Sequence, residues 1–184
     1  MRLRLLALGA AIVAAIAGCD SQPSTAPPAL PPVQMVQVPA ASAGGACVLW
    51  DYRMIEQQTG VHFDAAASHR VDDTSTCVVQ VQGADRPDLA LSVVEGSSAD
   101  AELFTTELVP AGATKLKKLG RAGYRSVSKA SGEHGPTVEV GWLSADRQVI
   151  TLRFTFPAGA SKAEAATMAG RLTALARELD APIS

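Results

Sequence analysis

Ile150, Leu152, Phe154 and Phe156 alternate with Thr151, Arg153 and Thr155, the longest clean period-two stretch in the chain. Successive side chains on a strand point to opposite faces, so this run predicts a strand with one buried and one solvated face, ended by Pro157 and Gly159. Residues 75–82 repeat the pattern, with Cys77, Val79 and Val81 on one face and Val78, Gln80 and Gln82 on the other. The Gly, Asp and Pro of 83–87 predict a turn, after which Leu89, Leu91 and Val93 complete a hairpin. Val138, Val140 and Trp142 predict another strand and residues 124–128 one more, with a loop over 132–136 and a turn over 144–147.

Helical spacing is found at three places. Val48, Leu49, Tyr52 and Ile55 predict a helix over 48–59 that Gly60 stops. Ala101, Phe104 and Leu108 predict a short helix over 99–108, capped by Ser97 or Ser98 and ended by Pro110. Ser161-Lys162-Ala163-Glu164 fits a capping box, in which two free backbone donors meet side-chain acceptors, and Met168, Leu172, Leu175 and Leu179 continue on one face. Residues 61–74 and 111–123 hold no sustained period and read as loops. The expected order is α-β-β-α-β-β-β-α. Short hairpins between neighbouring strands imply an α+β domain over 47–184, an antiparallel sheet of about five strands with helices packed on one face.

The N-terminal stretch obeys different rules. Arg2 and Arg4 precede an apolar run from Leu5 to Ala17, followed by Gly18, Cys19 and Asp20. A positive start, a run of about 13 apolar residues and small residues before a cleavage point mark a secretory signal, since a membrane-spanning helix needs ~20. Residues 20–46 then carry six of the 11 prolines, among Ser, Gln, Thr and Ala. Such a composition cannot bury enough apolar surface to offset its ordering entropy. As a flexible coil this tether would span on the order of 30 Å, and as polyproline II about 80 Å.

Ile16-Ala17-Gly18-Cys19 resembles the bacterial lipobox. That resemblance implies cleavage after residue 18 and attachment of a diacylglyceryl group to the Cys19 sulfur through a thioether; an ordinary cleaved signal and an uncleaved anchor are the alternatives. The chain holds three cysteines, Cys19, Cys47 and Cys77, and lipid on the first leaves an even pair. Outside the cytoplasm a Cys47–Cys77 disulfide is the default, and closing a loop of about 31 residues would stabilise the fold by roughly 3–4 kcal/mol. The rival is a thiol nucleophile working with His62 or His69, which leaves the other thiol unexplained.

Charge narrows the partners. The formal net charge is −2, and loss of Arg2 and Arg4 with the signal makes the remainder −4, which argues against general nucleic-acid binding. Aromatics are only 4% of the chain, so the core must rest on Val, Leu, Ile and Ala. Lys115, Lys117, Lys118 and Arg121, with Arg125 beyond, form a short basic run that reads either as a solvated edge or as a contact for anionic lipid or cell-wall polymer.

The lipobox, the proline-rich tether, a cysteine opening a helix, a second opening an alternating strand, and Gly120-x-x-Gly123-Tyr124 before further strands together resemble small actinobacterial lipoproteins of the mycobacterial type. Their extracytoplasmic two-cysteine domains form families of unknown function. The resemblance implies Cys19 as the palmitate-bearing site, Cys47 with Cys77 as the disulfide, and a place on the outer face of the cell membrane.

Chemistry-bearing motifs are sparse. His62-x-Asp64 and His69 with Asp72 and Asp73 hold residue types that bind metals, but nothing in the sequence puts them on one face. Ser68-His69 cannot form a triad by adjacency, and no Walker, Rossmann, G-x-S-x-G or H-E-x-x-H pattern occurs. No cofactor and no metal is expected. The expected function is a lipid-anchored envelope protein with a non-enzymatic binding or interaction domain. The membrane is its first partner, through acyl chains on Cys19, and an envelope protein, lipid or cell-wall ligand its second. The alternatives are a carrier of a small apolar ligand or lipid between sheet and helices, and an envelope hydrolase built around Asp64–Asp73.

Overall fold

The computed structural model describes residues 38–96 and 98–181. The expected signal over 1–18, Cys19 and the tether as far as Gln37 lie outside the described residues, as does Ser97. The rest is an α+β domain on a seven-stranded antiparallel sheet. Its strands are β1 (Ala65–Val71), β2 (Thr74–Gln80), β3 (Asp88–Val94), β4 (Thr114–Leu116), β5 (Ala122–Ser128), β6 (His134–Leu143) and β7 (Val149–Pro157). The order across the sheet is β1-β2-β3-β7-β6-β5-β4. Two meanders, β1–β3 and β4–β7, therefore meet where β3 pairs with β7, Leu91 opposite Leu152.

Seven strands replace the five expected, and both additions fall in segments read as loops. β1 is an edge strand whose last five residues are exposed, so no buried face imposes alternation on Ser68, His69 and Arg70. β4 is three residues long and pairs only with Gly123–Arg125, too short to show a period.

The helices depart from expectation as well. α1 is Tyr52–Thr59, four residues shorter than the predicted 48–59, because Asp51 caps it by accepting the Met54 amide at 2.7 Å. Gly45–Leu49 forms a 3-10 turn instead. It buries Ala46 and Cys47 and leaves Val48 and Leu49 61% and 48% exposed, so two apolar residues that suggested a helix face are on the surface. The folded part also begins earlier than Cys47. Ala40–Ala43 is a second 3-10 turn with Ala40 fully buried. The Ala46 amide donates to Ser75 Oγ at 2.8 Å, and Ser68 Oγ donates to the Ala43 carbonyl. Small residues expected to belong to the tether thus pack against β1 and β2.

The predicted 99–108 helix divides into α2 (Ala101–Leu103) and a π-helical turn over Phe104–Leu108. Its cap is Asp100, which accepts the Glu102 and Leu103 amides at 3.0 and 2.9 Å. α3 (Lys162–Leu179) begins with both bonds of the capping box: the Ser161 amide donates to Glu164 Oε2 at 2.7 Å, and the Glu164 amide to Ser161 Oγ at 3.2 Å.

One sheet face carries the main core. Cys77, Val79, Leu89, Leu91, Val138, Val140, Trp142, Leu152 and Phe154 point there, beneath Ile55 of α1 and Met168, Leu172 and Leu175 of α3. Phe63 and Phe156 set their rings edge-on against Phe154, centroids 6.5 and 4.7 Å away. The expectation that all helices share this face is corrected. Phe104, from the π-helical turn, packs on the opposite face with Tyr124, Leu143 and Ala99, where the chain crosses from β3 to β4. That second cluster covers one end of the face only.

Candidate functional site

The part of the second face left open by Phe104 is polar. Register decides its membership. Asp88 pairs with Thr155, Ala90 with Arg153, and Arg153 with Glu139, so the side chains of these positions share one side of three adjacent strands. Ser126 joins them opposite Glu139, and Ser128 opposite Thr137.

Glu139 is the hub. Arg153 donates to its Oε2 from Nε at 3.0 Å and from Nη2 at 2.8 Å, and the Tyr124 hydroxyl donates to Oε1 at 2.8 Å. The glutamate side chain is 13% exposed and the arginine 59%, so the pair spans from floor to rim. Burial, and then the bond to Glu139, push the Tyr124 phenol well above its ordinary value, which keeps it a neutral donor. Gly141 lies opposite Tyr124, and a Cβ there would sit 2.5 Å from the tyrosine ring. The missing side chain is what lets the ring lie across β6 and bring its hydroxyl to Glu139.

At the far end Arg86 Nη1 lies 3.4 Å from Asp88 Oδ2 and donates to the Asp85 carbonyl at 2.6 Å. Arg86 Nε and Asp88 Oδ1 are buried there with no hydrogen-bond partner among the described residues. The whole forms a cleft of about 630 Å³ lined by Arg86, Asp88, Ser126, Glu139, Arg153 and Thr155, among others. It runs on past Ser131 and His134 into a second hollow of about 550 Å³ beside Asp85 and Glu133. Charges of both signs stand next to hydroxyls, and both guanidiniums are already set against carboxylates. Such a surface offers donors and acceptors in alternation.

Two apolar grooves flank the N-terminal half of α3 on the other face. The first, about 490 Å³, lies beside Phe154, Phe156 and Met168. Its charged groups are occupied as caps: Arg171 Nη1 donates to the Thr59 carbonyl at 2.6 Å, and Glu164 holds the Ser161 amide. The second, about 560 Å³, lies between α3 and the end of β5, lined by Val127, Ala130, Pro136, Ala165 and Ala166 with Lys129 and Lys162 at its edges.

The residues singled out from sequence fare differently. Cys47 and Cys77 are joined as a disulfide, both sulfurs fully buried, and the Trp50 indole N–H donates to Cys77 Sγ at 3.2 Å. Neither is then available as a thiol nucleophile. Cys19 lies outside the described residues. His62 Nδ1 stands 3.0 Å from Glu56 Oε2, which with the glutamate's charge raises the imidazole pKa. Asp64 accepts the Gln82 amide at 2.6 Å, and His69 lies on β1 opposite Thr76. Among the described residues no three His, Cys, Asp or Glu side chains gather as metal ligands, so the stretch over 64–73 assembles no such group. Sequence reasoning missed the polar cleft because its members are scattered over four strands and three connecting segments. The one legible signal was the polar half of each alternating strand, Thr151, Arg153 and Thr155 among them.

No protein-family model, curated protein or solved structure matches the chain.

Proposed function

We propose that this is a lipid-anchored extracytoplasmic protein resembling the small actinobacterial lipoproteins, held on the outer face of the cell membrane by acyl chains on Cys19, and that its folded domain is a non-enzymatic binding module. The observation that carries the reading is the pairing of Cys47 with Cys77 in the core. A buried disulfide belongs to an oxidising compartment, and it uses two of the three cysteines, leaving Cys19 at the end of the lipobox-like run. No described helix is long and apolar enough to cross a membrane. The open polar cleft is the surface through which an envelope partner is held.

Mass spectrometry of the mature product tests the anchor: a diacylglyceryl group on Cys19 is expected, and an unmodified residue there overturns it. Ser126→Trp fills the cleft floor without touching the core; it should abolish capture of envelope partners that the natural chain retains, and equal capture by both removes the cleft from the reading.

A second reading, carriage of an apolar ligand, is favoured by one observation, the alanine-lined groove beside Val127.

A further inference from the structure

The groove between α3 and the end of β5 has features that packing alone does not require. β4 pairs with β5 only from Gly123 to Arg125, so Ser126–Ser128 form an open edge of the sheet. Val127 sits on that edge on the core-side face, opposite Val138, yet it is 52% exposed while Val138 is fully buried. Facing it are the short side chains of Ala165 and Ala166 on α3, with Ala130 and Pro136 closing the ends. Small residues at these places leave the space between helix and strand unfilled. The side chains of Val127, Ala130, Pro136, Ala160, Ala165 and Ala166 offer a polar occupant no hydrogen-bond partner, so the helix side of the groove favours an apolar one.

The only charged side chains on the groove are cations, Lys129 and Lys162, and neither makes an ion pair among the described residues. Lys162 is the first residue of α3, where the helix dipole disfavours a positive charge. Helix stability therefore gains nothing from it, and the two lysines raise a positive potential at the mouth of an apolar slot. This pattern contrasts with the groove on the other side of α3, whose cation and carboxylate are both tied into helix caps.

We infer that this groove binds an anionic amphiphile with a single acyl chain, the chain lying along Val127 and the α3 alanines and the acidic head between Lys129 and Lys162. The inference rests on the carrier reading and adds the ligand class and the place. It is independent of the anchor, because every residue used belongs to the folded domain.

Photoactivatable dodecanoate, presented to the full chain in phosphatidylcholine nanodiscs, tests it, with cross-links mapped by mass spectrometry. Label is expected on peptides carrying Val127–Pro136 and Ala160–Ala166. Val127→Asp, an exposed position that leaves the melting temperature close to that of the natural chain, should remove the label. Lys129→Glu with Lys162→Glu should reduce it at least about tenfold, since the acidic head loses both cations and meets two like charges in their place. The photoactivatable alcohol of the same length should label the groove far more weakly than the acid. Equal labelling by acid and alcohol would overturn the anionic head while sparing the carrier reading. Label placed elsewhere, or unaffected by Val127→Asp, would overturn both, as would displacement by an extended apolar peptide but not by free dodecanoate.

Discussion

The ring of Tyr124 occupies the space above Gly141, its cross-strand neighbour, and thereby carries its hydroxyl to Glu139, two residues back along β6. A glycine inside a strand usually weakens it through lost packing and added chain entropy. Here the aromatic ring covers the bare backbone, and the strand gains a buried phenol that fixes the carboxylate at the floor of the polar cleft. Gly141→Ala should therefore destabilise the fold by about 1–3 kcal/mol, because its methyl group meets the ring rather than open space. Chemical denaturation of Gly141→Ala, Tyr124→Ala and the double variant checks it. The alanine should be harmful beside Tyr124 and nearly neutral in its absence, so a penalty that persists without the tyrosine would refute the proposed clash.

The disulfide ties the 3-10 turn of Cys47 to the centre of β2, and the sequence separation of 30 residues closes a long loop. Cys47→Ser should lower stability by roughly 3–4 kcal/mol in the chain-entropy picture. Reduction of the natural chain should produce a loss of similar size, and the melting temperatures of the reduced chain and of Cys47→Ser should agree when both are measured in reductant, since a blocking group would not fit at the fully buried Cys77. The deepest loss of protection in hydrogen exchange is expected in residues 40–49, which the Ser68 and Ser75 hydroxyl bonds and the burial of Ala40 and Ala46 also tie to the sheet.

How much of this was legible in advance follows from where burial imposes a pattern. β3 and β7 are central, buried on one face and solvated on the other, and their alternation gives both strands and the hairpin that joins β3 to β2. The α3 stripe and its capping box were equally plain, since Ser161 and Glu164 act within one turn. β1 and β4 lie at the two edges, where solvent accepts any side chain, and they left no period to read. The N-terminus of α1 was misplaced because Val48 and Leu49 look like core and are surface, while the residue that decides the start, Asp51, acts through a single side-chain bond. The cleft was least legible, for a pairing such as Glu139 with Arg153 depends on β6–β7 register and not on local spacing.

Glu164 has a depressed pKa because the Ser161 amide and hydroxyl hydrogen-bond to it. A carboxyl that is more acidic in the folded chain than in the unfolded one adds stability above its unfolded pKa, and that contribution is lost as pH falls through the folded pKa. Glu164→Gln should accordingly be less stable than the natural chain at neutral pH, and the difference should vanish in acid once the carboxyl is protonated. Urea titrations at pH 7 and pH 3 measure it. A gap that is unchanged at pH 3 would mean that the charge of Glu164 has no part in the cap.

Arg171 links the two long helices at a point where α1 ends. Its guanidinium donates to the Thr59 carbonyl at 2.6 Å and lies against Gly60, which takes the left-handed conformation that closes the helix. The last carbonyls of a helix carry partial negative charge and lack intrahelical donors, so a cation from α3 satisfies one of them and favours the dipole. Arg171→Met keeps the aliphatic stem and removes both effects, and it should destabilise the domain by about 1 kcal/mol. The change should be local: amide exchange in α1 should accelerate while the middle of α3, held by Leu172 and Leu175 in the core, stays protected. Equal acceleration in both helices would show that Arg171 acts through overall stability and not by capping α1.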